Sequence, residues 1–201
     1  MKKIDYKKEF KHLYGATSKN VQFVDVPTLN FLMVHGKGEP GGKAFTEAVQ
    51  ALYPVAYGIK FSIKENLGID YVVPPLEGLW WAEDMTDFVK DNRDRWLWTM
   101  MIMQPESVTQ EIFDKVILQV KAKKNPPAIE KVEFQPYAEG KCAQILHVGP
   151  FSEEGPTIEK VHSAIAAEGY SLTGKHHEIY LSDMRRVSPE KYRTVIRQPM
   201  D

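Results

Sequence analysis

An α+β fold is what these 201 residues predict: a duplicated β-α-β-β unit forming a curved antiparallel sheet, with helices on one face and a central cleft. Three observations carry that expectation. Short apolar segments bounded by Gly and Pro alternate at period two, as half-buried strands do. Segments between them repeat apolar residues every three to four positions, as amphipathic helices do. The order of these segments in the first half then returns in the second.

The opening stretch to about Asn20 is polar and lysine-rich, an arm with a short amphipathic segment around Phe10, Leu13 and Tyr14. Residues 21–26 alternate and stop at Pro27. Phe31 to His35 is a short apolar run closed by a Gly-rich turn, Gly36 to Gly42. From Lys43, Phe45, Val49, Leu52 and Ala56 mark a helix, with Tyr53 and Tyr57 an i,i+4 pair on it and Pro54 expected to kink it or start a new turn. Tyr71 to Val73 and Leu79 to Ala82 are strand candidates separated by Pro74 and Pro75, and Trp96 to Gln104 is a strong strand ended by Pro105. Residues 107–124 form an amphipathic helix stopped by Asn125, Pro126 and Pro127.

In the second half, Cys142 to Val148 reads as a strand, Thr157 to Glu168 as a helix closed by Gly169, and His176 to Asp183 and Tyr192 to Gln198 as strands. Met33 to Gly36 matches Ile145 to Gly149. Trp81 to Met85 matches Tyr180 to Met184, and Trp98 to Pro105 matches Tyr192 to Pro199, both closing on Ile-x-Gln-Pro. The expected organisation is an arm over 1–20 and one domain over 21–201: repeat one at about 21–105, a connecting helix at 107–124 and repeat two at about 130–201.

Composition narrows the function. A net charge of −1 gives no broad pull toward nucleic acid. The lysine-rich start has no apolar run behind it, so neither a leader nor a membrane anchor is expected. One cysteine excludes an internal disulfide and makes no zinc site by itself, which fits a cytoplasmic protein. No metal or cofactor is expected, for the phosphate-, dinucleotide- and zinc-binding signatures are absent.

In residues 176–181, alternation puts His176, Glu178 and Tyr180 on one face and His177, Ile179 and Leu181 on the other. Glu is disfavoured in strands. Glu178 is therefore either an edge carboxylate facing water or a carboxylate in an aromatic setting, where desolvation raises its pKa and makes it a base, acid or cation receptor. Adjacent His176 and His177 point to opposite faces and cannot share an ion, so they are read as surface polar positions. His35 and His147 are read as hydrogen-bonded turn residues, the Met run including Met100 as strand core, and Cys142 as unreactive. Of Trp80 and Trp81 only one can face a cleft, and the match to Tyr180 favours Trp81.

Four segments together resemble the GyrI-like small-molecule-binding proteins. They are Phe31 to Val34 followed by Gly36, Gly38 and Pro40; Tyr53 and Tyr57 leading to Lys60 and Phe61; Pro75 to Trp81; and His177 to Asp183. The resemblance runs from about Val21 to the end. It implies duplicated SHS2-type modules and an aromatic pocket receiving planar hydrophobic or cationic small molecules, with Glu178 as the central carboxylate. Tyr53, Tyr57, Trp81, Trp98 and Met100 would be ligand-binding and Tyr180 catalytic beside Glu178. Stand-alone members closest in motif are linked to hydrolysis of cyclopropanoid toxins, which implies a detoxifying hydrolase. The alternatives are sequestration of hydrophobic cations and a protein-partner module of the topoisomerase-binding type. No nucleic acid or membrane partner is expected, and a homodimer is the one assembly entertained.

Overall fold

The computed structural model describes residues 3–84 and 92–201. Eight strands form one antiparallel sheet: β1 (Gln22–Val26), β2 (Leu29–Lys37), β3 (Leu76–Trp81), β4 (Leu97–Gln104), β5 (Glu133–Tyr137), β6 (Gly140–Val148), β7 (His176–Tyr180) and β8 (Arg193–Pro199). Their order across the sheet is β1-β6-β8-β7-β3-β4-β2-β5. Exchanging β1 with β5, β2 with β6, β3 with β7 and β4 with β8 leaves that order unchanged on reversal, which is compatible with a duplication. The first strand of each half pairs with the second strand of the other. The central seam is β3 against β7, with Gly78 directly opposite Glu178.

Three long helices cover one face: α3 (Lys43–Leu67), α4 (Gln110–Lys123) and α5 (Gly155–Ala167). α3 lies over β2 and β4, and α5 over β6 and β8, so the central strands β3 and β7 lie between them. α3 buries Ala48, Leu52, Val55, Ala56, Ile59 and Ile63 along a single stripe. It continues through Pro54, because the carbonyl that loses its amide partner belongs to Gln50, which is exposed and reaches water. α4 starts at Thr109, whose hydroxyl accepts from the Ile112 amide, and Gly58 lets it approach α3, since a Cβ there would meet Val116 at 2.7 Å.

Two segments differ from expectation. Tyr71 to Val73 is not a strand of the sheet. It bridges to Ile4 of the arm, because Pro74 and Pro75 lack the amide hydrogens a ladder needs. β5 had no clear sequence signal, since Pro136 interrupts it, and it is tolerated because β5 is an edge strand pairing only with β2. The Met85 end of the repeat match lies outside the described residues.

The arm folds as two single-turn helices, α1 (Tyr6–Glu9) and α2 (Lys11–Tyr14), over the sheet face opposite the long helices. It covers a buried polar chain. The Tyr14 hydroxyl donates to Glu77 Oε1 (2.8 Å), and the other Glu77 oxygen meets His177 Nε2 (3.0 Å). His177 Nδ1 meets Glu139 (2.9 Å), and Arg197 donates both to Glu139 (3.1 Å) and to the Leu13 carbonyl (2.7 Å). His177 is 1% exposed, which corrects the expectation of a surface position. The sequence reading failed there because the arm that buries it is remote in the chain.

Both ring nitrogens of His177 face carboxylates, so both donate and the ring is an imidazolium. Burial by itself would lower its pKa, but Glu139 and Glu77 overrule it and raise it to about 9. Burial would likewise raise Glu139, yet His177 and Arg197 hold it at about 2. Two anions and two cations thus balance inside a dry layer, and removing one partner of such a set costs about 3–5 kcal/mol.

A raised histidine pKa stabilises fully below its ordinary value of 6.5, and that contribution is lost as pH rises through about 9. The melting temperature is therefore expected to fall between those limits. Tyr14→Phe, which strands a Glu77 oxygen, is expected to cost about 1–3 kcal/mol by urea denaturation. Unchanged stability in that variant would show that the arm is not held through Glu77.

Candidate active site

The groove between α3 and α5 has β3 and β7 as its floor, and alternation decides what faces it. From β7 come His176, Glu178 and Tyr180; from β3 come Gly78 and Trp80. The Tyr180 hydroxyl donates to Glu178 Oε2 at 2.7 Å and accepts from the Trp80 indole N–H at 3.1 Å. His176 Nε2 lies 3.2 Å from the other carboxylate oxygen. Both Glu178 and His176 keep 15% of their side-chain surface exposed, so Glu178 is neither a surface edge residue nor sealed off.

Gly78 makes this arrangement possible. A Cβ in its place would sit 2.2 Å from Met100 Cε, 2.9 Å from Trp80 Nε1 and 3.0 Å from the Tyr180 oxygen. The missing side chain is thus the space in which indole and phenol meet. Phe45 of α3 stacks on Trp80 with centroids 6.1 Å apart, and Phe151 meets Tyr180 edge-on at 5.8 Å. The groove is aromatic on both sides.

Glu154 completes the site, and the sequence reading missed it. It stands just before α5, in a polar run, beside the exposed Glu153, where an acidic pair looks like an ordinary complement to a helix N-terminus. Folding instead turns it inward to 4% exposure, against Glu178 and Thr194. Burial and then the Glu178 charge push its pKa up to about 9, so at neutral pH Glu154 keeps its proton. No signal in the sequence separates Glu154 from Glu153.

The other expected site residues divide. Trp81 points to the opposite face, packed with the Phe31 and Met101 cluster and under the Lys175 ammonium, 3.5 Å from the ring centroid. Trp80 takes the position expected of Trp81. The repeat match had placed Tyr180 one residue out of step with the pleat. Trp98 and Met100 share the groove face but are fully buried, with Phe45 edge-on against Trp98. The Trp98 ring lies on Gly36, where a Cβ would meet it at 2.1 Å. Tyr53 is partly buried and feels Asp183 and Arg185 of the segment after β7, while Tyr57 is 46% exposed one turn further along α3. His35 and His147 hydrogen-bond to Thr99 and Thr157.

Among the described residues no cluster of His, Cys, Asp and Glu has the arrangement of a metal site, and no helix is long and apolar enough to cross a membrane.

This architecture, with its central carboxylate groove, defines a small-molecule-binding α+β domain. The chain belongs to the GyrI-like family, whose small-molecule-binding domain matches residues 19–200. An uncharacterized conserved protein from Listeria innocua is 44% identical, with 99% of this chain covering all of that one at a TM-score of 0.92. Two further Listeria innocua structures, each described as a hydrolase, are 41% and 42% identical over 99% and 100% of this chain and all of theirs, with TM-scores of 0.86 and 0.87. The EcmrR C-terminal domain is 11% identical, with 90% of this chain covering 97% of it at a TM-score of 0.56, and shares the fold. No curated protein matches the sequence.

One glutamate carboxyl is expected to titrate near pH 9 in 13C NMR, and to vanish from the spectrum in Glu154→Gln. In Glu178→Gln it is expected to move down toward, but not to, the ordinary 4.5, because burial remains when the neighbouring charge is gone. A Glu154 resonance titrating at 4.5 in the parent protein would show that burial and the Glu178 charge do not hold Glu154 protonated.

Proposed function

We propose that this protein hydrolyses electrophilic small molecules in which a strained cyclopropane is joined to a conjugated dienone. The observation that carries the reading is the Glu178 carboxyl, held between Tyr180 and His176 and set beside a Glu154 whose pKa is pushed up to about 9, in an aromatic groove. The two 41–42% identical Listeria relatives described as hydrolases support a hydrolytic activity. The cyclopropanoid substrate rests on the family resemblance.

In this reaction the oxygen of water bonds to the cyclopropane methylene carbon. The strained carbon–carbon bond breaks, its electron pair passes through the dienone to the carbonyl oxygen, and the ring becomes aromatic as a phenolate. Glu178 takes the proton that water loses. Its carboxylate is fixed on both oxygens, so it needs little reorganisation to act as a base. Tyr180 has one hydroxyl proton, already directed at Glu178, which makes it a positioning residue and not the donor to substrate. That donor role falls to Tyr53, on the α3 wall. Trp80, Phe45 and Phe151 supply flat apolar surface for the ring system.

The second reading is binding of hydrophobic cations without chemistry, favoured by the net single negative charge of the carboxyl pair. The two readings separate on product. Incubation with a spirocyclopropyl dienone is expected to yield the compound plus one water by mass, and Glu178→Gln is expected to lower kcat by about 10²–10⁴-fold. Quenching of tryptophan emission with no product would leave binding alone, and a Glu178→Gln protein at the parent rate would sink the base assignment.

A further inference from the structure

We infer that Tyr57 and Phe61 of α3 form an outer subsite that holds a second flat aromatic unit tethered to the reactive one, a role that rests on the groove being where the dienone binds. An amphipathic helix carries polar residues on the side away from its core. α3 departs from that rule along one row. Phe45, Val49, Tyr53, Tyr57 and Phe61 follow one another at four-residue steps, which makes them neighbours on the helix. At 3.6 residues per turn the row drifts by about 40° per step, so it climbs from the core to the solvent side. Its first three members pack partly buried against the core, whereas Tyr57 is 46% and Phe61 58% exposed.

The row begins inside the site, for Phe45 stacks on Trp80. It then follows the flank of α3 that faces away from α4. Gly58, over which α4 packs, lies about 140° around the helix from Tyr53. The strip therefore leads out of the groove and not into the packing of α3 on α4. Tyr53 and Tyr57 have ring centroids 6.4 Å apart with planes inclined by 31°, and so do Tyr57 and Phe61. Singly scattered exposed apolar side chains need no explanation, but contiguous ones that continue a ligand groove do.

Length and charge say what the strip takes. Phe45 to Phe61 covers about 24 Å of helix at 1.5 Å per residue, far more than one fused ring system can span. A ligand that uses both ends has at least two linked planar units. At the outer end the Lys60 ammonium stands 5.5 Å from the Phe61 ring centroid. Lys60 and Lys64 share the one carboxylate of Asp70, which leaves a positive charge in excess. A cationic unit is repelled there, so the second unit is an uncharged, electron-rich aromatic.

The test uses the full chain and two probes: a spirocyclopropyl dienone alone, and the same dienone carrying an amide-linked methoxynaphthalene. In the parent protein the two-unit probe is expected to exceed the one-unit probe in kcat/KM by about 10–100-fold, and Phe61→Ser is expected to cut that ratio by about tenfold. Both probes react at the same place, so the ratio does not move with a general loss of fold or activity. Leu118→Ser, which removes an exposed apolar residue of α4, is expected to leave it unchanged. An unaltered ratio in Phe61→Ser, or an equal fall in Leu118→Ser, overturns the subsite and leaves the hydrolase reading standing. Where neither probe gives product, the ratio is read from dissociation constants by quenching of tryptophan emission. A Phe61-dependent preference then keeps the subsite while the hydrolase reading falls, and no preference overturns both. A parent dimer that Phe61→Ser dissociates in light scattering assigns the strip to a second copy of the chain and overturns the subsite.

Discussion

The pairing of β3 with β7 is the constraint on which the rest of the molecule depends. It is where the two central strands meet, and both faces of that seam carry ionisable groups. On one face His177 is clamped between Glu77 and Glu139; on the other Glu178 is held by Tyr180, His176 and Glu154. Successive residues of one strand, His177 and Glu178, therefore serve opposite ends. Alternation makes this possible, because a strand cannot turn one side chain without turning its neighbour.

The two faces are treated differently by the same physics. Behind the seam the charges balance, water is excluded by the arm, and the carboxyl of Glu139 is ionised well below the usual range. In front, burial and then the neighbouring Glu178 charge keep the Glu154 carboxyl protonated at neutral pH. The first arrangement is a balanced set of paired charges; the second is a pair of carboxyls, one of them kept protonated by burial.

Glycine sets the depth of the groove. Gly78 and Gly36 each lie beneath an aromatic side chain that a Cβ would strike at close to 2 Å or would displace from its hydrogen bond. The floor is thinned where indoles lie across it, and the aromatic surface stays next to Glu178.

Much of the fold was legible from the chain alone. Local periodicity located β2, β4, β6, β8, α3 and α4, because a strand or helix that buries one face must repeat its apolar residues at that spacing. The same alternation assigned His176, Glu178 and Tyr180 to one face, and the family motifs singled out Glu178. What tertiary structure alone decided were the properties that depend on distant segments. Burial of His177 comes from the arm, the choice of Trp80 over Trp81 comes from the register at the seam, and the inward turn of Glu154 comes from α5 docking beside β7. The opening question about Glu178, solvent-facing carboxylate or central one, is of this kind too. Sequence determined which side of the strand it occupies; only the packing of two helices, with a gap between them, determined what that side faces.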